Sequence, residues 1–298
     1  LCVGLDSDID KIPKHIRSVK HPQFLFNKAI IDATADLVCA YKPNTAFYEA
    51  EGLEGLLQLK FTIDYLGKKY PDIPVILDAK RADIGNTNEG YVKFAFDFFR
   101  ADALTVHPYL GKEALKPFLD RKDAGIFILC RTSNPGAGEF QDLKVTYSSQ
   151  VSPGRSSLQD KPFGHLPGVS GKDTSQVSQG DSWDGGGISK PFYQVIAEHV
   201  VKDWNCNNNC GLVVGATYPT ELTIVRRIVG DGFPLLVPGI GTQGGDVEKT
   251  IKAGIDESGK NAIINVSRNI IFAGESKDFA QRAREETEKL QQLINNFR

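Results

Sequence analysis

Short apolar runs recur along the chain, each separated from the next by a stretch of helical periodicity. The runs predict strands over 1–5, 38–41, 75–77, 103–106, 125–130, 212–214, 235–237 and 262–266. Runs this apolar suit parallel strands buried on both faces. Apolar residues at three- and four-residue spacing predict helices over 24–37, 53–68, 86–99, 112–119, 192–204, 219–229, 246–253 and 277–297. Eight strands alternating with eight helices imply an α/β fold with right-handed crossovers, and that number points to a closed (β/α)8 TIM barrel. The alternative is an open, doubly wound sheet. It is weakened because no G-x-G-x-x-G opens the first crossover.

One span breaks the rhythm. Residues 144–190 are rich in Ser, Gly, Pro, Asp and Gln, with few apolar residues and no period. The expectation is a single barrel domain over 1–298 carrying a flexible insertion at 144–190, in the loop after the fifth strand. That side of a barrel carries the chemistry, so a lid is one reading. A solvated insertion suits the composition better.

Composition changes the picture mainly by exclusion. The 298 residues are 41% hydrophobic and 24% charged, which is enough apolar content for one large core. A net charge of −2 gives no reason to expect nucleic acid or an anionic membrane as partner. No apolar run approaches the roughly 20 residues of a membrane span. Five cysteines, an odd number, three of them inside apolar runs, favour reduced thiols in a cytoplasmic protein over a disulfide framework. Cys206 and Cys210 have half of a metal-site spacing, but no second pair or nearby His completes it. The chain opens inside a strand pattern and contains no methionine.

The polar residues at predicted strand ends carry the candidate chemistry, because barrel enzymes react where strands end and βα loops begin. After the run 75–77 come Asp78, Lys80 and Asp83 at D-x-K-x-x-D spacing. Two carboxylates bracketing one ammonium are costly to bury unless they pair, and such clusters mark active sites as often as structural ion pairs. The same rim receives Asp6, Lys42, Asn44, His107, Thr132, Ser133, Asn134, Gln243, Ser267 and Arg268. Each has a bland reading: Asp6 as a turn cap, Lys42 as a snorkelling side chain, His107 as a packing residue. The glycine-rich stretch from Pro238 to Asp246 leads into a predicted helix, and Arg268 ends the eighth strand. Together they resemble a phosphate site, in the place where barrels of this kind often hold one.

Read as motifs, Asp78-Ala79-Lys80-Arg81-Ala82-Asp83-Ile84-Gly85-Asn86-Thr87 resembles the signature of orotidine 5′-phosphate decarboxylases. Leu1 to Asp6, Tyr41-Lys42-Pro43-Asn44, Arg131 to Gly136, Val237 to Gly245 and Ser267-Arg268 follow that family's pattern in order. The resemblance is greatest to the longer bacterial type, and it covers the chain outside 144–190. It departs at Ala82 and Ser267, where family members often carry Gly; neither change removes a functional group.

The resemblance implies a metal-free, cofactor-free decarboxylation of a nucleotide in pyrimidine biosynthesis. Lys80 would protonate C6, with Asp78 against the substrate carboxylate. Asp83 and Thr87 would reach into a neighbouring subunit's site, which implies a homodimer with shared active sites. Asp6 and Lys42 would contact ribose hydroxyls, and Ser133 the pyrimidine edge. Pro238 would line the base pocket, while Gln243 and Arg268 hold the phosphate beside Ser267. Asn44 and Thr132 are further candidates. Two alternatives stay open: a metal-dependent phosphosugar lyase or decarboxylase of the same barrel group, and a nucleotide-binding barrel without catalysis.

Overall fold

The computed structural model describes residues 1–147, 188–241 and 246–298. Its first half runs β1 (Cys2–Gly4), α1 (Lys14–Arg17), α2 (Pro22–Thr34), β2 (Ala40–Lys42), α3 (Ala46–Glu49), α4 (Gly52–Lys69), β3 (Ile76–Arg81), α5 (Gly85–Val92), β4 (Ala103–Val106), α6 (Gly111–Leu119) and β5 (Gly125–Arg131). Then follow α7 (Gly138–Gln141), β6 (Lys144–Tyr147), β7 (Ile188–Pro191), α8 (Phe192–His199), β8 (Cys210–Val214), α9 (Pro219–Val229), β9 (Leu235–Pro238), α10 (Val247–Gly254), β10 (Ala262–Val266), α11 (Arg268–Ile271) and α12 (Phe279–Phe297).

Eight of these strands form one parallel sheet in the order β2-β1-β10-β9-β8-β5-β4-β3. The two ends of that order meet through isolated parallel bridges, Tyr41 with Val75 and Asn44 with Asp78. Main-chain bonds from Tyr41 N to the Pro74 carbonyl (3.1 Å) and from Asp78 N to the Pro43 carbonyl (2.9 Å) fasten the seam. The ring is a (β/α)8 TIM barrel, as the strand and helix count predicts.

The eight predicted strands are all present, with shifted ends. The second begins at Ala40 rather than residue 38, where it first pairs with β1. The third runs on to Arg81, so Asp78 and Lys80 lie within the strand rather than beyond it. The predicted insertion has a regular stem. Its first four residues, 144–147, pair antiparallel with 188–191, which straddle its far end, with Lys144 opposite Pro191 and Tyr147 opposite Ile188. The rest of that span, 148–187, lies outside the described residues.

The barrel interior follows from the strand period of two. Cys2, Ala40, Ile76, Ala103, Phe127, Val213 and Leu236 pack together with Ile263, one side chain from each strand of the ring. Small residues opposite large ones let that layer interdigitate. A second, larger core fills the space between the strands and the surrounding helices. Moving two residues along each strand reaches the next interior position. There the residues become Lys42, Asp78, Thr105, Leu129, Pro238 and Asn265. An apolar plug thus closes one end of the barrel beneath a polar layer, and that layer is the floor of the site.

Candidate active site

Above the plug lies a cavity of about 430 Å³ at the ends of the strands. It is lined by Asp6, Lys42, Asn44, Asp78, Lys80, Thr132, Ser133, Asn134, Pro238, Ser267 and Arg268 of the predicted set. Asp83 and Thr87 are not among its walls, and neither is His107. Gln243 and its neighbours 242–245 lie outside the described residues.

Asp78 is the centre of the floor. Its Oδ2 accepts from Lys42 Nζ (2.7 Å) and from Asn44 Nδ2 at 3.4 Å. Its Oδ1 accepts from Lys80 Nζ (2.6 Å) and from Thr105 Oγ1 (2.8 Å). Asp78 is 7% exposed and Lys42 3%, so this is an interior ion cluster, not a solvated rim pair. Burial alone would raise the Asp78 pKa, but the charges of Lys42 and Lys80 outweigh it and hold the carboxyl well below the usual range. Burial likewise works against the Lys42 ammonium, and the carboxylates of Asp78 and Asp6 more than restore it, so its pKa lies above the ordinary lysine value. Lys42 is therefore a buried, paired cation, not a snorkelling one.

Lys80 is the exposed member of the cluster, and its backbone is unusual, with φ at +48°. That region is uncommon for a residue with a side chain. It coincides with a shift in the β3–β4 register: Leu77 pairs with Leu104, and the next pair is Arg81 with Val106. Asp78, Ala79 and Lys80 thus stand opposite Thr105 alone. The bulge re-aims the strand so that two charged side chains meet over the barrel mouth.

Around this floor stand further polar groups. Asp6 Oδ1 is buried with no hydrogen-bond partner among the described residues, an acceptor ready for a ligand hydroxyl. Thr132 is held by Gln141: its N–H donates to Gln141 Oε1 (2.8 Å), and Gln141 Nε2 donates to Thr132 Oγ1 (3.0 Å). Beneath that loop, Arg131 is buried with its guanidinium 3.8 Å from the Tyr218 ring, and its Nη2 donates to Asp142 Oδ2 (3.0 Å). At the opposite wall Arg268 is exposed at the cavity edge. Gly241 has φ at +89°, and an added Cβ there would overlap the side chain of Asn269, the residue after Arg268.

Thr105, Asn265 and Gln141 line the cavity without having been singled out from the sequence. The signal for the first two was present: each lies two residues beyond a plug position, Ala103 and Ile263. Gln141 had none, because its place depends on how the loop after β5 turns back. Of the cysteines in predicted strands, Cys2 and Cys130 are buried whereas Cys39 is exposed; all five are free.

Comparison with known proteins agrees with the barrel fold. The sequence model of the orotidine 5′-phosphate decarboxylase / HUMPS family matches residues 1–185. The chain is 42% identical over 298 residues to the orotidine 5′-phosphate decarboxylase of Azoarcus sp. (strain BH72), covering 100% of this chain and 94% of that protein. Its identity to the enzyme of the same name from Cellvibrio japonicus (strain Ueda107) is 43% over 297 residues, covering 99% and 92%. The solved Leishmania donovani OMP decarboxylase superposes with a TM-score of 0.71 at 31% identity, covering 99% of this chain and 93% of that one. The Leishmania donovani UMP synthase superposes with a TM-score of 0.73 at 33% identity, and this chain spans about half (53%) of its length.

Proposed function

We infer the reaction from one premise: the chain belongs to the orotidine 5′-phosphate decarboxylase / HUMPS family. On that premise it is a decarboxylase that converts orotidine 5′-phosphate to UMP in pyrimidine biosynthesis. The observation that carries the reading is the floor of the cavity, where Lys80 and Lys42 share the carboxylate of Asp78.

Loss of CO2 from C6 leaves an electron pair on a ring carbon that cannot readily delocalise it. A fixed ammonium beside that carbon stabilises the developing charge and then supplies the proton. We assign this role to Lys80. The C6–carboxylate bond breaks, CO2 departs, and the proton of the Lys80 ammonium moves to C6. Asp78 orients the ammonium through its Oδ1 and places a negative charge beside the substrate carboxylate. That repulsion is relieved as CO2 leaves. Lys42 keeps Asp78 ionised and, with Asp6, faces the ribose hydroxyls. Ser133 and Thr132 face the pyrimidine edge, Pro238 its flank, and Asn44 the floor. Arg268, Ser267 and Gln243 hold the phosphate, whose binding energy is available for desolvating the reacting end.

In this reading residues 1–298 act as one cytoplasmic barrel domain that works as a homodimer. Asp83 and Thr87 stand off the cavity on the segment after β3, next to Ile84, which is 63% exposed. A second copy covering that segment would bring both side chains to its own site.

The metal-dependent alternative has less support, because Asp78, the carboxylate best placed for a cation, already carries two ammoniums. The test is the loss of orotidine 5′-phosphate absorbance with purified protein, with and without EDTA. We expect turnover that EDTA leaves intact, and a loss of at least about 10⁴-fold in Lys80→Ala with its fold retained. Near-native turnover by Lys80→Ala would refute the proton-donor role. Dependence on a divalent ion would favour the alternative, and UMP binding without any turnover would leave only a nucleotide-binding barrel.

A further inference from the structure

We propose that Thr105 is a positioning residue for the decarboxylation, fixing Lys80 and Asp78 relative to each other through one hydroxyl. The proposal rests on the reaction assigned above. The Thr105 hydroxyl donates to Asp78 Oδ1 (2.8 Å) and accepts from the main-chain N–H of Lys80 (3.0 Å). Asp78 Oδ1 is the same oxygen that receives Lys80 Nζ at 2.6 Å. A short closed loop results, running from the Lys80 backbone through Thr105 to Asp78 and back through the Lys80 side chain.

Two features give this loop work to do. The first is the bulge: between the pairs Leu77–Leu104 and Arg81–Val106, Thr105 is the single β4 residue opposite Asp78, Ala79 and Lys80. Regular ladder bonding is interrupted there, and the hydroxyl takes a main-chain donor that would otherwise lack its strand partner. The second is the positive φ of Lys80, a conformation that surrounding structure must hold in place. Thr105 is itself buried on the cavity floor, so its hydrogen bonds work without competing water. Removing the hydroxyl leaves Asp78 with three donors instead of four and frees the Lys80 backbone to relax. An ammonium displaced by even about 1 Å from the reacting carbon loses much of its effect on the barrier.

The experiment compares Thr105→Val, which keeps shape and removes the hydroxyl, with Thr105→Ser, which keeps the hydroxyl, both in the full chain. Thr105→Val is expected to lower kcat at least about tenfold, while KM and the Kd for UMP stay within about twofold. Thr105→Ser should restore kcat to within about threefold of the parent. A folded Thr105→Val with kcat near that of the parent overturns the proposal, as does a Thr105→Ser that falls as far as the valine variant. Should Thr105→Val fail to fold, Thr105→Ala opens space instead of placing a methyl at the ionic floor, and it reads the same loss. Failure of the underlying reaction has a separate sign: the parent protein itself would not consume orotidine 5′-phosphate.

Discussion

Lys42 and Asp78 are two interior charges that tolerate burial because each answers the other. Taking away one partner strands the remaining charge, a change that costs about 3–5 kcal/mol in buried pairs. Asp78→Asn is therefore expected to destabilise the protein by about 3 kcal/mol at neutral pH, read as a lowered melting temperature. The pH dependence follows from the direction of the shift. The Asp78 pKa is depressed on folding, so its contribution is complete above the unfolded carboxylate value of about 4 and fades as pH falls through the lower folded value. Melting curves of parent and variant should draw together below about pH 4, and a constant gap down to pH 2 would contradict the assignment. At this scale the sequence shows charge but not partnership. The D-x-K-x-x-D spacing exposed Asp78 and Lys80, and a strand-end position marked Lys42. Thr105 stayed hidden because a threonine in an apolar strand reads as ordinary β-branched filling until the strands are in register.

Helices and strands meet the site through close contacts that leave little slack. Gly215, just after β8, lies under Ser133, and a Cβ there would come within 2.7 Å of the Ser133 main-chain N and Cα. Main chain cannot yield as a flexible side chain can, so Gly215→Ala should cost about 1–3 kcal/mol and shift the loop to which we assign the pyrimidine edge. Steady-state kinetics are expected to show a raised KM for orotidine 5′-phosphate, whereas an unchanged KM would separate that loop from substrate binding. Away from the site, Asp32 joins α2 to the end of α4. Its carboxylate accepts from Tyr65 (2.6 Å), Lys69 (2.7 Å), Lys28 (2.9 Å) and Tyr70 (3.0 Å). A part-exposed network of this kind is worth about 1 kcal/mol, so Asp32→Ala should lower the melting temperature by about 2–4 °C and leave kcat unchanged. Alternating apolar and amphipathic stretches made the order of these elements legible. Their ends were less so: β3 outlasts its apolar run because a bulge carries it through three polar positions. The β6–β7 ribbon hid inside a polar span because two short strands pair through main-chain atoms that composition does not report.

The whole molecule sets two further conditions. If each active site borrows Asp83 and Thr87 from a second copy, then Lys80→Ala and Asp83→Asn, each inactive alone, should complement when refolded together. Random pairing leaves one intact site in each mixed dimer, giving about a quarter of parental activity. No recovery would place both residues in the service of a single chain. The second condition comes from how the ring closes. Between β2 and β3 the sheet has isolated bridges where its other neighbours share ladders, and one of those bridges runs through Asp78 itself. Asp6, Lys42 and Asn44 stand on one lip of that join, Asp78 and Lys80 on the other. A bound nucleotide would rivet the two lips. At a UMP concentration of 100 times its Kd the gain is about 2.7 kcal/mol, and amide exchange at Tyr41, Thr45 and Asp78 should slow before that of the plug below. The barrel would then breathe at the place where it reacts, and its own product would be what holds it shut.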